Sequence, residues 1–385
     1  MLPRSTAIVG GGIVGLTTAV VLNRAAQRRD SQTSIVVLER GELGAGSTLR
    51  AGCGLRPVYQ YPVNVELARA GLGFWRQSDE KLTETIDFRE SGYLFLTDEQ
   101  SSRQLLHREA RRQHQHGFDS VYDDPPSTVH AELGLNYDNY TASLFASDAA
   151  LSSPSQMIAA LSETAREEGV QLHTNTPVAN IDTSGQAVTI QTPNRGRFAA
   201  ERVVNATGAW AGELAAMVGL ELPVAPKRRR LSVLDRSVSP DQPLTVDIDT
   251  GVYLLADQAG VVHAGGHFGT DDTWDPDSPG AFSDALTDHW RARLRRRGGR
   301  LWDGLADARV TDGWTGLYAM TPSNRPIIDR QGDVVHATGF SGHGIMQAPG
   351  AARIIVSLLA GERPSLCDPA ALRHDRATQS PDIQF

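Results

Sequence analysis

Apolar positions recur along this chain in two rhythms. Residues 6–9 form a short apolar run suited to a buried strand, and beyond a glycine cluster Leu16, Ala19, Val20 and Leu22 fall at helical spacing. Residues 34–38 repeat the strand signal and end at Glu39. Residues 155–168 read as an amphipathic helix closed by Gly169. Residues 170–173 and 178–181 read as strands, and 188–192 with Phe198 as a hairpin. Farther on, apolar stretches at 231–234, 252–255 and 261–264 alternate with polar turns, ahead of a helix predicted over 283–297. Two more helices are predicted: 99–116, amphipathic and rich in His and Arg, and 346–359, apolar-periodic and stopped at Gly361.

The glycines between the first strand and helix read Gly10-Gly11-Gly12-Ile13-Val14-Gly15. In a strand, Gly-x-Gly-x-x-Gly, helix arrangement, Gly10 permits the tight turn, Gly12 lets backbone approach a pyrophosphate, and Gly15 allows close helix packing. Glu39, at the end of the second strand, suits the two ribose hydroxyls of an adenosine and disfavours a 2′-phosphate, leaving FAD or NAD. A second run of small residues, from Gly44 through Gly46, Ser47, Thr48, Ala51, Gly52 and Gly54 to Arg56, extends past the usual nucleotide unit and points to FAD.

Together with residues 91–97 (SGYLFLT), 203–210 (VVNATGAW), 316–322 (GLYAMTP) and 339–344 (GFSGHG), these segments resemble the D-amino-acid oxidase/glycine oxidase superfamily of flavoenzymes, and within it the sarcosine oxidase and dimethylglycine dehydrogenase branch. The resemblance implies an α/β fold: a Rossmann-like FAD-binding domain (1–87, 141–224 and 310–365) interleaved with an α+β substrate domain built on a mainly antiparallel sheet (88–140 and 225–309), then a tail, 366–385. It also implies the cofactor contacts. Gly10, Gly12, Ile13, Val14, Gly15, Glu39, Arg40, Gly46, Ser47, Thr48, Ala51 and Gly52 come from the first two segments. Val178 contacts adenine. Ala206, Thr207, Gly208, Trp210, Gly316, Gly339, Gly342, His343, Gly344, Ile345 and Met346 come from the later motifs.

The catalytic set implied is Arg56, His263, His267 and His343. Arg56 falls opposite the arginine that grips the substrate carboxylate in sarcosine oxidases, and a planar guanidinium suits that task. Their second carboxylate partner, a lysine, is Met346 here. Their oxygen-activating lysine falls on or near His263. The loop 341–344 and the helix start behind it would face the flavin pyrimidine ring, where backbone N–H groups suit developing negative charge. Family positions that attach flavin covalently hold Gly316 and Arg50, so FAD is expected to be non-covalent, with Cys53 the alternative attachment point. The implied reaction is hydride transfer from the carbon beside an amine to flavin N5, giving an imine that water hydrolyses, with His267 and Tyr253 on the cap side. Oxidation of a 2-hydroxy acid, or a non-catalytic flavoprotein assembly role, are the alternatives. The electron acceptor would be oxygen, a quinone or another redox protein.

Composition narrows this picture. Among 385 residues, 37 basic against 45 acidic groups give a net charge of −8, which disfavours nucleic acid as a partner. No apolar run approaches the ~20 residues of a membrane span, and two distant cysteines make neither a disulfide framework nor a zinc site; a cytoplasmic protein is expected. Lys81 and Lys227 are the only lysines. The run from Lys227 to Arg230 reads as alternating strand positions rather than a basic patch, and the arginines from Arg291 to Arg297 as a solvated helix face. His107, His114 and His116 lack metal-ligand spacing, so no metal is expected.

Overall fold

The computed structural model describes residues 1–127, 134–268 and 286–376. Two sheets organise it. The first has six strands in the order Ile327–Gln331, Val334–Thr338, Arg202–Asn205, Ser5–Val9, Ser34–Leu38, Gln171–His173; all neighbours are parallel except the antiparallel pair at the Ile327–Gln331 edge. Side chains alternate across a strand, so each strand feeds two cores. Ile8, Ile35, Val37, Val204 and Val335 pack with helices Ile13–Arg28, Pro154–Glu167 and Gly344–Leu359. Ala7, Val9, Leu38, Val203 and Val334 pack instead with the three-stranded antiparallel sheet of Asn180–Asp182, Val188–Thr192 and Gly196–Ala200. The strand expected over 178–181 thus begins only at Asn180, and Val178 precedes it.

The second sheet has eight strands in the order Val310–Met320, Ala225–Ser237, Val261–Gly266, Val252–Ala256, Leu244–Asp247, Tyr93–Thr97, Ala142–Ala146, Ser120–Asp123. Every pairing is antiparallel except Leu244–Asp247 with Tyr93–Thr97. One face, with Leu94, Leu96, Leu254 and Val262, is covered by Trp290 and Leu294 of helix Asp288–Gly298. The first residues of the helix expected from 283 lie outside the described residues. The other face, with Tyr93, Phe95, Leu244 and Leu255, meets Val58 and helix Gln100–Gln115 through Leu106 and Ala110.

An α/β chain with one parallel-dominant sheet and one mainly antiparallel sheet is the fold the sequence led us to expect. Two strands beside the expected domain boundaries join the antiparallel sheet. The strand Ala142–Ala146 pairs with both Tyr93–Thr97 and Ser120–Asp123, and Val310–Met320 pairs along Ala225–Ser237. Breaks at 140 and 310 therefore cut the antiparallel sheet, because a strand belongs to the sheet that satisfies its backbone donors and acceptors wherever it lies in the chain.

Candidate functional site

Two adjoining cavities lie where the sheets meet. The larger, about 570 Å³, opens beside the first glycine loop. At Gly10 the backbone takes φ +109, and a Cβ there would stand 2.4 Å from the Ala206 carbonyl oxygen; at Gly15 it would stand 1.9 Å from the Gly10 carbonyl oxygen. These two positions admit no side chain. The Ile13 N–H donates to Thr48 Oγ1 at 3.1 Å, and the Gly44 N–H to the Gly11 carbonyl at 2.9 Å, which fastens the second small-residue run across the first. That run is tied in turn to the antiparallel sheet: Ser47 Oγ donates to the Leu317 carbonyl at 2.5 Å, Arg50 Nη1 to the Thr315 carbonyl at 2.8 Å, and Trp314 Nε1 to the Arg50 carbonyl at 2.9 Å.

Glu39 accepts from the Gly11 N–H at 2.8 Å and the Gly41 N–H at 2.9 Å, holding its carboxylate at the rim. The Arg40 guanidinium lies 3.7 Å from the Trp210 ring centroid. Gly10, Gly12, Ile13, Val14, Glu39, Arg40, Gly46, Ser47, Thr48, Ala51, Val178, Ala206, Thr207, Gly208, Trp210, Gly342, Gly344 and Ile345 line this cavity. The other nominated cofactor residues lie elsewhere. Gly15 packs behind the loop, and Gly339 is a left-handed turn (φ +69) under Thr321. Gly316 borders a small neighbouring void beside Arg50, while Gly52, His343 and Met346 line the second cavity.

The loop before helix Gly344–Leu359 is held in an uncommon shape: Ser341 has φ +52 and Gly342 φ +91. Ser341 pays part of this strain back through its hydroxyl, which accepts from the Thr321 N–H at 3.2 Å, and its own N–H donates to the Ala319 carbonyl at 2.9 Å. The helix starts at the junction of the two cavities, both of which reach Ile345. The N–H groups of its first turn have no partner within the helix and form its positive end.

The second cavity, about 400 Å³, lies between the loop 51–56, the helix start and the aromatic face of the antiparallel sheet. Arg56 is 5% exposed. Its Nη2 stands 3.3 Å from His343 Nε2, its Nη1 donates to the Val58 carbonyl, and its guanidinium faces the Tyr59 ring at 4.5 Å. His343 meets Tyr59 edge to face, with centroids 4.9 Å apart. His267 lies among Tyr253 and Tyr318, and its Nε2 is buried without a hydrogen-bond partner. Burial, and then the charges of Arg229, Lys227, His343 and Arg56, hold its pKa well below the ordinary histidine value, so the ring is neutral.

His263 is not brought to this site. It lines neither cavity; its Nε2 faces Asp257 Oδ2 at 3.2 Å and its ring packs on Trp314. It lies four residues from His267, roughly 13 Å at the rise of a strand. Cys53, in a left-handed conformation (φ +56), puts its Sγ 3.8 Å from Met157 Sδ, and burial pushes the thiol pKa up. His107, His114 and His116 separate to Tyr122, the Ser120 carbonyl and Glu66. Among the described residues no cluster of His, Cys, Asp and Glu is arranged to hold a metal, and no helix is long and apolar enough to cross a membrane.

The sequence reasoning missed Phe95 and Tyr318 as cavity residues. Phe95 was detectable, since it alternates with Tyr93 on one face of a strand. Tyr318 lines both cavities, a position set by pairing with Lys227 across two strands distant in sequence.

A family model described as DAO, FAD dependent oxidoreductase, matches residues 5–358. Glycine oxidase of Pseudomonas aeruginosa is 26% identical over 381 residues, covering 94% of this chain and 96% of its own. Mitochondrial dimethylglycine dehydrogenase of Rattus norvegicus is 26% identical over 264 residues, which span 67% of this chain and 30% of that relative's length. Among solved structures, L-proline dehydrogenase from P. horikoshii superposes with a TM-score of 0.85 at 24% identity, covering 96% of this chain and 97% of the other. Glycine oxidase from Geobacillus kaustophilus gives 0.82 at 22% identity, with 97% and 99% covered.

Proposed function

The chain belongs to the FAD dependent oxidoreductase (DAO) family, and we propose that it oxidises an amine or amino acid at the carbon beside nitrogen, with N-methyl, cyclic and D-amino acids the first substrates to try. The observation that carries this reading is the buried Arg56 guanidinium beside His343, in a cavity that shares Ala51, Tyr318, Gly342 and Ile345 with the glycine-rich one. The matches to glycine oxidase support primary amino acids, and the match to dimethylglycine dehydrogenase supports the N-methyl amines of the branch the motifs resemble.

The larger cavity fits FAD: glycines with no room for a Cβ stand where backbone meets phosphate, and Glu39 lies at the end of its strand. FAD, when bound, supplies the hydride acceptor, flavin N5, and the substrate leaves as an imine that water hydrolyses. Arg56 receives the substrate carboxylate with its planar fork. Met346 adds no second charge, so the grip depends on Arg56 and its neighbours. Neutral His267 accepts a hydrogen bond from the substrate nitrogen, and the cations around it favour the unprotonated amine that oxidation requires. Tyr93, Phe95, Tyr253 and Tyr318 wall the cavity with aromatic surface. The N–H groups at the start of helix Gly344–Leu359 favour negative charge at the junction.

The cofactor is held without a covalent bond. A Cβ built on Gly316 would lie 3.1 Å from Arg50 Cβ, so the two family attachment positions adjoin in space and hold a glycine and an arginine. Cys53, with its raised thiol pKa, is a poor nucleophile.

The test is anaerobic bleaching of the flavin spectrum against amino acids, N-methyl amino acids and 2-hydroxy acids, followed by air or a quinone dye. Bleaching by amines with release of ammonia, methylamine or formaldehyde supports the reading. His267 Nε2 would serve a hydroxyl equally well, and bleaching by hydroxy acids alone would move the assignment there. Full retention of FAD with no bleaching by either class would point to an assembly role, and a chain that cannot be loaded with FAD would sink the reading. Fast reoxidation by air marks an oxidase; slow reoxidation with fast dye reduction marks a dehydrogenase.

A further inference from the structure

A buried polar arrangement behind Arg56 is not used by the reaction outlined above. Residues 56–60 run alongside helix Gln100–Gln115 with no strand assigned to them, so their carbonyls need other donors. Side chains supply all four from 57 to 60. Gln113 Nε2 donates to the Pro57 carbonyl at 3.1 Å, Arg56 itself to that of Val58, and Arg112 Nη1 to those of Tyr59 and Gln60 at 3.4 and 2.5 Å. Arg112 is oriented by Glu109, whose Oε1 accepts from the same Nη1 at 2.7 Å. Glu109 is 1% exposed, and its Oε2 has no hydrogen-bond partner. An acid so placed on a helix otherwise rich in solvated charge is costly unless its partners give it a task.

We propose that Glu109 and Arg112 are a positioning pair for the carboxylate grip: they fix the backbone of residues 57–60, and with it the place of the Arg56 guanidinium and the Tyr59 ring, and the charge on Glu109 sets how much of the Arg56 charge is left for a ligand. This rests on Arg56 being the carboxylate site.

Burial raises the Glu109 pKa to about 7, against the opposing pull of Arg112, Arg108 and Arg56. The elements packed on the helix add few charges: Ser120–Asp123 brings Tyr122 and Asp123, Ala142–Ala146 has no ionisable side chain, and the 56–60 segment brings Arg56 and Tyr59. The sign follows from Coulomb's law. Ionised Glu109 offsets part of the Arg56 charge and repels a ligand carboxylate, so the ligand binds best when Glu109 is protonated, and affinity falls as pH rises through 7.

The FAD-loaded protein is titrated with benzoate, read by perturbation of the flavin absorbance from pH 6 to 8.5, with benzamide as the uncharged control. The wild-type dissociation constant for benzoate rises about fivefold or more across this range, and that for benzamide does not. Glu109→Gln flattens the rise. His343 also faces Arg56, and a rise surviving Glu109→Gln overturns the proposal. Arg112→Gln keeps the acid but removes its counter-charge and the two carbonyl donors: it weakens benzoate at pH 6, where Glu109 is mostly protonated in both proteins, and moves the rise to higher pH. An Arg112→Gln profile that superposes on wild type also overturns the proposal, and it decides the matter if Glu109→Gln does not fold. Failure of the underlying reading looks different: benzoate would then bind Arg56→Ala as it binds wild type.

Discussion

Arg56 Nη2 and His343 Nε2 stand 3.3 Å apart, although 287 residues separate them in the chain. One comes from the extended segment after the second small-residue run, the other from the residue that caps helix Gly344–Leu359. Their meeting puts a permanent cation beside the positive end of a helix, and a permanent cation there is best matched by a ligand carboxylate.

Arg56→Ala removes this cation. The expected outcome is a loss of about 100-fold in kcat/KM for amino-acid substrates, the scale of a lost charge-assisted hydrogen bond, with FAD content unchanged. Steady-state kinetics together with the ratio of flavin to protein absorbance check both halves; parallel loss of FAD would make Arg56 structural.

His263→Gln leaves flavin reoxidation by air within about twofold of wild type, because His263 faces Asp257 and Trp314 rather than either cavity. Stopped-flow mixing of the reduced protein with oxygen measures it. A tenfold slowing would restore His263 to the site.

Two glycines with positive φ separate backbone strain from clash. Gly117→Ala has nothing within 4 Å of the new Cβ and costs roughly 1 kcal/mol for its left-handed backbone alone. Gly10→Ala adds a contact of 2.4 Å with the Ala206 carbonyl oxygen, so it lowers the melting temperature further and prevents FAD retention. Thermal unfolding with and without added FAD compares the two; equal FAD content would contradict the cradle.

Acid precipitation releases the flavin into the supernatant and leaves a colourless pellet, in wild type and Cys53→Ser alike. A yellow wild-type pellet would show a covalent bond.

Stability falls in mild acid through His336. This ring is fully buried beside Asn205, and burial lowers its pKa from 6.5 to about 4. The unfolded chain takes up a proton below pH 6.5 while the folded one does not until pH 4, so stability is lost as pH drops between these values, by about 2 kcal/mol at pH 5. Urea unfolding at pH 7 and pH 5 measures the loss. It should shrink by that amount in His336→Asn relative to its own value at pH 7.

The sequence by itself determined the nucleotide half of this protein. Gly10, Gly12 and Glu39 work through backbone freedom and local spacing, which are legible along thirty residues, and the strands around them were readable because each buries both faces of the first sheet. It also located the loop 341–344 through its resemblance to flavoenzymes. The tertiary structure decided what local pattern does not encode. It carried Val310–Met320 and Ala142–Ala146 into the antiparallel sheet, because pairing partners are chosen across the fold. It turned His263 to Asp257 and left His267 in the cavity, though the two lie on one stretch of chain. It also set Glu109 behind Arg56: the amphipathic pattern of 99–116 is legible in the sequence, but the backbone segment that its buried face meets is not.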